Sequence, residues 1–179
     1  DSGVRHSLND GQYNNRAQEC AAAVDVLAGK NQRVSALREV NFAMLEANRV
    51  ELGEMLFRRC RHVVLENERV MHMVQALETG DLARVGELLT ACHKSLRDDF
   101  EVSHTRVDSL VEIANNSELV LGSRMVGGGF GGCVLSACRK SDADDVARHI
   151  RVAYAAVNGS EPWQHIVEPA HPARIETSI

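Results

Sequence analysis

The most unusual segment of the chain is rich in glycine. It reads Gly127-Gly128-Gly129-Phe130-Gly131-Gly132, and we call it the glycine loop. Glycine loses more backbone freedom on folding than any other residue. Such a run is therefore kept where the backbone needs a positive φ or where another group comes very close. Residue types alone leave two interpretations open: a bend in a β-hairpin, or a backbone wall against which a ligand or a second domain packs. Phe130 offers an apolar anchor in either case.

Neither of the familiar phosphate-binding fingerprints fits the glycine loop. Gly127, Gly129 and Gly132 formally spell G-x-G-x-x-G, but a dinucleotide site needs a helix after the glycines to hold the pyrophosphate. Both flanks, 119–126 and 133–138, are apolar runs typical of strands. A P-loop is excluded as well, because no Lys-Ser or Lys-Thr follows the glycines.

Local motifs elsewhere in the chain assemble no complete active site. Asp98 and Asp99 are adjacent, so on a helix they point in different directions, and we interpret them as a cap with salt bridges. A buried ionic latch that fixes a loop near a site is the alternative. The cysteines are odd in number, 5, and lack Cys-x-x-Cys spacing, which predicts reduced thiols and no zinc site.

The elements that must position these residues are mostly helices. Apolar residues recur at helical spacing over 13–27, 51–78, 82–96, 103–114 and 141–157, with short helical turns at 34–38 and 41–47. Gly80 and Asp81 form a cap pair that predicts two antiparallel helices, and Ser103 and Ser141 are predicted N-caps. Strands are predicted on both sides of the glycine loop. Two further strands are predicted at Trp163–Glu168 and at Ala173–Glu176. These elements predict an α+β fold in which a small antiparallel sheet packs with several amphipathic helices.

Composition excludes several classes of protein. Hydrophobic residues make up 44% of the 179, charged residues 25%, and the net charge is −5, values ordinary for a globular domain. No basic block predicts nucleic-acid binding, and no apolar run predicts a membrane span or a signal peptide. The opening residues 1–8 look like the end of a strand, so we expect the chain to be a fragment of a longer protein.

Three stretches resemble one family. Residues 122–133, residues 2–8 followed by Tyr13 and Arg16, and residues 92–103 are similar to conserved segments of galactokinases, within the GHMP small-molecule kinase superfamily. The resemblance keeps the family's order and spacing from Asp1 to Arg139 and continues in pattern beyond Ser141. It implies that residues 1–179 are the GHMP-kinase C-terminal domain, with the N-terminal nucleotide-binding and catalytic domain absent from this chain.

The resemblance implies an activity and a division of roles. The full-length protein would transfer the γ-phosphoryl group of ATP, bound with Mg²⁺, to the C1 hydroxyl of α-D-galactose, as a cytoplasmic monomer. Tyr13 would contact the sugar, the glycine loop would close the cleft between domains, and Arg5 would lie on the phosphate side. The resemblance places the catalytic residues upstream of this chain and no metal ligand within it, and ATP and Mg²⁺ would be bound mainly by the missing domain. The fragment alone would be inactive.

The resemblance leaves alternatives open. The family includes catalytically silent galactose sensors, and the residues that decide between sensor and kinase lie upstream. A kinase for N-acetylgalactosamine is a further alternative, since the missing domain mostly sets that choice. Kinases for homoserine or mevalonate are disfavoured by the Ser-Leu-Arg-Asp-Asp run at 95–99 and the Val-Arg-His-Ser run at 4–7.

Overall fold

The computed structural model describes residues 1–5, 11–30 and 33–169. Within these ranges the chain forms helices first and a hairpin followed by a helix second, as the predicted α+β fold requires. The elements are α1 (Gln12–Lys30), α2 (Phe42–Ala47), α3 (Arg49–Thr79), α4 (Leu82–Asp98), α5 (Thr105–Asn115), β1 (Val120–Met125), β2 (Val134–Cys138) and α6 (Ala143–Asn158). Helix α3 is kinked at Gly53, whose φ of 67° and ψ of 165° are not helical. Short 3₁₀ turns lie at Leu37–Glu39 and Lys140–Asp142.

Helices α3 and α4 pack antiparallel across a two-residue link. Gly80 ends α3 in the left-handed conformation at φ 70°, and the Asp81 side chain accepts the Arg84 N–H at 3.0 Å to start α4. Both caps were predicted from residue type and are confirmed. The antiparallel arrangement is visible in the contact between His62, midway along α3, and Ser95, near the end of α4.

The sheet is a two-stranded antiparallel hairpin of β1 and β2, joined by the glycine loop. Helix α4 lies directly on β1 because two glycines face each other. A Cβ at Gly86 would sit 1.9 Å from the Leu121 carbonyl oxygen, and a Cβ at Gly122 would sit 2.2 Å from the Gly86 carbonyl oxygen. Real side chains do not approach a backbone so closely, so this helix–strand contact requires glycine on both sides.

Two buried apolar clusters lie near the residues of interest. The α1–α3 cluster joins α1, α2 and the first half of α3 through Ala23, Leu27, Leu45, Phe57 and Cys60. The loop cluster lies under the glycine loop and contains Val102, Val107 and Met125, packed by Leu96, Phe100 and Phe130. Further clusters fill the space between α3 and α4, and between α5, α6 and the sheet.

The predicted strand at Trp163–Glu168 is wrong. These residues are irregular, Trp163 is 68% exposed, and no strand lies alongside them in the described ranges. Alternating apolar residues form a strand only when a neighbour accepts their backbone hydrogen bonds. The opening residues 1–5 are likewise irregular, and Gly3 has φ 74°. Positions 6–8 of the predicted opening strand, and the predicted strand at Ala173–Glu176, lie outside the described residues.

Two predicted N-caps are also wrong by one residue. His104 is the N-cap of α5, where its Nδ1 accepts the Arg106 N–H at 3.1 Å. The Ser103 hydroxyl instead donates to Asp108 at 2.5 Å. Ser141 lies inside a 3₁₀ turn and its hydroxyl donates to Asp142, the residue that precedes α6. In both places a nearby carboxylate competes successfully with the backbone for the serine hydroxyl.

Candidate functional site

Five residues of the glycine loop adopt positive φ. The φ angles are 91° at Gly127, 91° at Gly129, 61° at Phe130, 148° at Gly131 and 83° at Gly132. Residues with a Cβ rarely adopt this region, because the Cβ crowds the following carbonyl oxygen. The run of glycines is therefore a requirement of the loop's backbone path.

Neighbouring backbone holds the loop from two sides. The Phe130 N–H donates to the Val102 carbonyl at 2.6 Å, and the Gly132 N–H donates to the Val4 carbonyl at 3.2 Å. The approach is so close that a Cβ at Gly129 would lie 2.6 Å from the Val102 oxygen, and one at Gly131 would lie 2.8 Å from the Val4 oxygen. The back of the loop is thus fixed by two segments distant in sequence.

Phe130 anchors the loop to the loop cluster. Its side chain packs against the buried residues Val102, Val107 and Met125 of that cluster. A non-glycine residue at φ 61° costs about 1 kcal/mol. Burying part of an aromatic ring stabilises the fold by more than this cost. The anchoring role predicted from its place among the glycines is confirmed.

The front of the loop faces Tyr13. Gly127 and Gly128 are exposed, and the Tyr13 ring lies 3.9 Å from the position that a Cβ on Gly128 would occupy. Tyr13 stands in the first turn of α1 and is 69% exposed. Two features that are far apart in sequence thus line one open surface.

Arg5 lies in the segment that supports the back of the loop. It follows Val4, whose carbonyl accepts the Gly132 N–H. The Arg5 side chain is 72% exposed and pairs with Asp1 at 2.8 Å. The guanidinium is therefore accessible on the Val4 side of the loop.

The structure gives Asp98 and Asp99 different surroundings. Asp99 is buried, binds Arg61 through both of its carboxylate oxygens, and accepts the Ser95 hydroxyl at 3.2 Å. Asp98 is exposed and pairs with Arg97 at 2.8 Å. The alternative of a buried ionic latch therefore describes Asp99, whereas the solvated cap describes Asp98. This latch precedes the Val102 carbonyl that holds the loop.

Sequence reasoning missed Arg59, which is 2% exposed in the middle of α3. Its guanidinium donates to Glu19 at 2.7 Å, to Glu101 at 2.6 Å and to the Asp99 carbonyl. The hydrogen bond from Arg59 lowers the pKa of Glu101 below its ordinary value. The signal was available, because position 59 falls three residues after Leu56 in the apolar stripe of the predicted helix.

Two buried histidines are structural. The His62 ring contacts the Ser95 hydroxyl at 3.0 Å, and burial lowers the pKa of His62 to about 4. The His93 Nδ1 accepts the Met125 N–H at 3.4 Å, which ties α4 to β1. Across residues 1–5, 11–30 and 33–169, no group of three or more His, Cys, Asp or Glu side chains is placed to hold a metal ion. None of the helices in those ranges is long and apolar enough to cross a membrane.

Comparison with known proteins agrees with the observed fold. Residues 73–156, from the end of α3 to α6, match the family described as GHMP kinases C terminal. These residues are similar to the C-terminal domain of GHMP kinases. The α+β fold of the chain agrees with that of a solved structure, the crystal structure of Lactococcus lactis galactokinase complexed with galactose. The TM-score is 0.84 and the identity 33%, over 90% of this chain and 42% of the other.

Three of the curated proteins that are similar to this chain are galactokinases. A galactokinase of Pasteurella multocida is 40% identical over 88% of this chain and 41% of its own length. Galactokinases of Haemophilus influenzae and Thermotoga neapolitana are 37% and 40% identical over 97% and 95% of this chain. The chain spans less than half the length of these relatives, and it is similar to their C-terminal portion.

Proposed function

We propose that this chain forms the C-terminal half of a galactokinase, with residues 1–179 as one domain. The full protein transfers the γ-phosphoryl group of ATP to the C1 hydroxyl of α-D-galactose. The observation that carries the proposal is the contact of the Tyr13 ring with the exposed side of the glycine loop at Gly128. The names of the similar proteins favour a kinase for galactose over a silent sensor or an N-acetylgalactosamine kinase.

Phosphoryl transfer depends on positioning and on stabilising the charge of the transferred group. In this proposal the chain contributes positioning. The Tyr13 ring packs against the sugar, because an exposed aromatic with a hydroxyl offers both an apolar face and a hydrogen bond. The glycine loop brings backbone N–H groups close to the substrates and keeps water out, while Arg5 adds positive charge on the phosphate side.

ATP and Mg²⁺ are assigned to the remainder of the protein. The described residues place no cluster of carboxylates together, so we assign them no magnesium ligand. Bound with ATP, the ion would offset phosphate charge during transfer. The proposal also places the enzyme in the cytoplasm as a monomer. Fractionation of the natural source and a mass measurement in solution test those two statements.

The test of the proposed function is steady-state kinetics of the full-length protein. The protein should phosphorylate galactose with ATP, and Tyr13→Ala should raise the KM for galactose about tenfold while the KM for ATP stays within about twofold. Trp163→Ala is the matched control, because Trp163 is equally exposed, at 68% against 69% for Tyr13, and no described contact joins it to the glycine loop. Absence of galactose phosphorylation, or an equal rise in both KM values, contradicts the proposal.

A further inference from the structure

The most buried charged side chain near the site belongs to Arg59. It is 2% exposed, and its three guanidinium nitrogens each donate to a different oxygen. Two of these oxygens belong to Glu19 and Glu101, at 2.7 Å and 2.6 Å. We call this set, Glu19–Arg59–Glu101, the Arg59 bridge. A buried guanidinium is stable only when its donors are satisfied in this way, so the geometry of all three residues is constrained together.

Each end of the Arg59 bridge lies on a segment that supports one half of the candidate site, which consists of Tyr13 and the glycine loop. Glu19 lies on α1, six residues after Tyr13, which is about 9 Å along a helix. Glu101 immediately precedes Val102, whose carbonyl accepts the Phe130 N–H of the glycine loop. The bridge therefore runs from the helix that carries the aromatic side chain to the segment that seats the loop.

Apolar packing does not make this connection in the described part of the chain. Helix α1 packs on α3 through the α1–α3 cluster, whereas the glycine loop packs on the separate loop cluster. Position 59 lies between the buried α3 residues of the first cluster, Phe57 and Cys60. Its guanidinium reaches from there to the 99–101 segment, which adjoins the loop cluster.

The bridge also holds Glu101 in an unfavourable backbone conformation. Glu101 has φ 54°, a conformation that costs a non-glycine residue about 1 kcal/mol. Such strain persists where the surroundings over-determine it. Arg58 and Arg59 bind the two Glu101 carboxylate oxygens, at 2.5 Å and 2.6 Å. The strained residue thus directs the Val102 carbonyl at the loop while its side chain is held from α3.

We propose that Arg59 is a positioning residue that fixes the distance between Tyr13 and the glycine loop, and through it the affinity for the sugar. The statement about the sugar rests on the proposed function. The mechanical statement, that Arg59 couples α1 to the glycine loop, stands without it. The described hydrogen bonds of the Arg59 side chain go to Glu19, to the Asp99 carbonyl and to Glu101, so its effect passes through Glu19 and Glu101.

The kinetic test uses the full-length protein with Arg59→Gln and Arg59→Lys. Arg59→Gln should raise the KM for galactose about tenfold, because hydrogen bonds to two carboxylates are lost, while the KM for ATP stays within about twofold. Arg59→Lys keeps the charge without the planar fork, so part of the affinity should return. Glu19→Gln, at a partly exposed partner that also pairs with Arg16 within α1, is the second variant should Arg59→Gln fail to fold.

The control is Arg69→Gln on the same helix. Arg69 is 15% exposed and pairs with Glu66 at 2.7 Å, so the variant removes a partly buried ion pair of α3 without involving α1 or the 99–101 segment. A positioning role requires the KM for galactose to stay at the wild-type value in this control. The same KM pattern in Arg69→Gln, or unchanged KM values in both Arg59→Gln and Glu19→Gln, overturns the proposal.

Amide hydrogen exchange of the same full-length variants separates this proposal from the proposed function. In Arg59→Gln, peptides from 11–20 and from 127–132 should both exchange faster, about tenfold, while peptides from α6 keep the wild-type rate. Faster exchange on one side alone, or equal acceleration in α6, overturns the coupling. If the wild-type protein does not phosphorylate galactose, the proposed function fails and the exchange result still decides whether Arg59 couples the two halves.

Discussion

Alanine at two adjacent glycines offers a sharp experiment on the glycine loop, because the structure assigns the two positions opposite outcomes. Gly129 has φ 91°, and a Cβ there would lie 2.6 Å from the Val102 oxygen and 2.7 Å from the Val102 Cβ. A Cβ at Gly128 would meet only the Tyr13 ring, at an ordinary 3.9 Å. Gly129→Ala should therefore disrupt the loop, whereas Gly128→Ala should fit.

The magnitude follows from two costs. A Cβ at positive φ costs about 1–2 kcal/mol. Relieving the overlap moves the loop away from Val102 and loses the Phe130–Val102 hydrogen bond, which costs about 1 kcal/mol. Gly129→Ala should thus lower the free energy of unfolding by about 2–3 kcal/mol. If the glycine loop is displaced to the same extent when the substrates are bound, kcat/KM for galactose should fall by about a hundredfold. Gly128→Ala should stay within about 0.5 kcal/mol of wild type.

Urea unfolding of the full-length protein, followed by circular dichroism, measures the first quantity, and steady-state kinetics measures the second. The Gly128→Ala variant controls for the added methyl group in the same loop. The reasoning is refuted if Gly129→Ala unfolds at the wild-type urea concentration and keeps wild-type kcat/KM. It is refuted equally if Gly128→Ala loses as much stability as Gly129→Ala.

Two further predictions concern stability. Gly86→Ala should destabilise the fold by about 3 kcal/mol or more, because the new Cβ would lie 1.9 Å from the Leu121 oxygen and would separate α4 from β1. Urea unfolding checks it, with Gly29→Ala in α1, which has nothing within 4 Å, as the control that should lose no stability. Burial lowers the pKa of His62 from 6.5 to about 4 in the folded state, so the unfolded chain binds a proton first as the pH falls. Stability should therefore drop by about 2 kcal/mol between pH 6.5 and pH 5, and His62→Gln should remove that drop. An unchanged pH profile in His62→Gln contradicts the assignment.

The sequence predicted the elements whose causes are local. Helical spacing of apolar residues located α1, α3 and α4 within about three residues of their observed bounds, as expected where periodicity is strong. The caps at Gly80 and Asp81 followed from residue type, because each depends on the backbone of its own turn. The hairpin on both sides of the glycine loop followed from apolar runs interrupted by glycine.

Where the predictions were wrong, a distant or competing partner decided the outcome. Ser103 has the residue type of an N-cap, yet its hydroxyl binds Asp108 and leaves the cap to His104. Trp163–Glu168 has the alternation of a strand but no described strand beside it. Residue type predicts what a side chain can do, and the neighbouring groups select which possibility is realised.

The sequence by itself determined that five glycines surround Phe130, and through the three matching stretches it indicated the family. Only the tertiary structure decided what that loop touches. The Val102 and Val4 carbonyls support it from behind, and Tyr13 faces it in front. Arg59 ties the two sides together. These contacts join segments far apart in the chain, and their closeness depends on how α3 and α4 pack, which no local pattern of residues encodes.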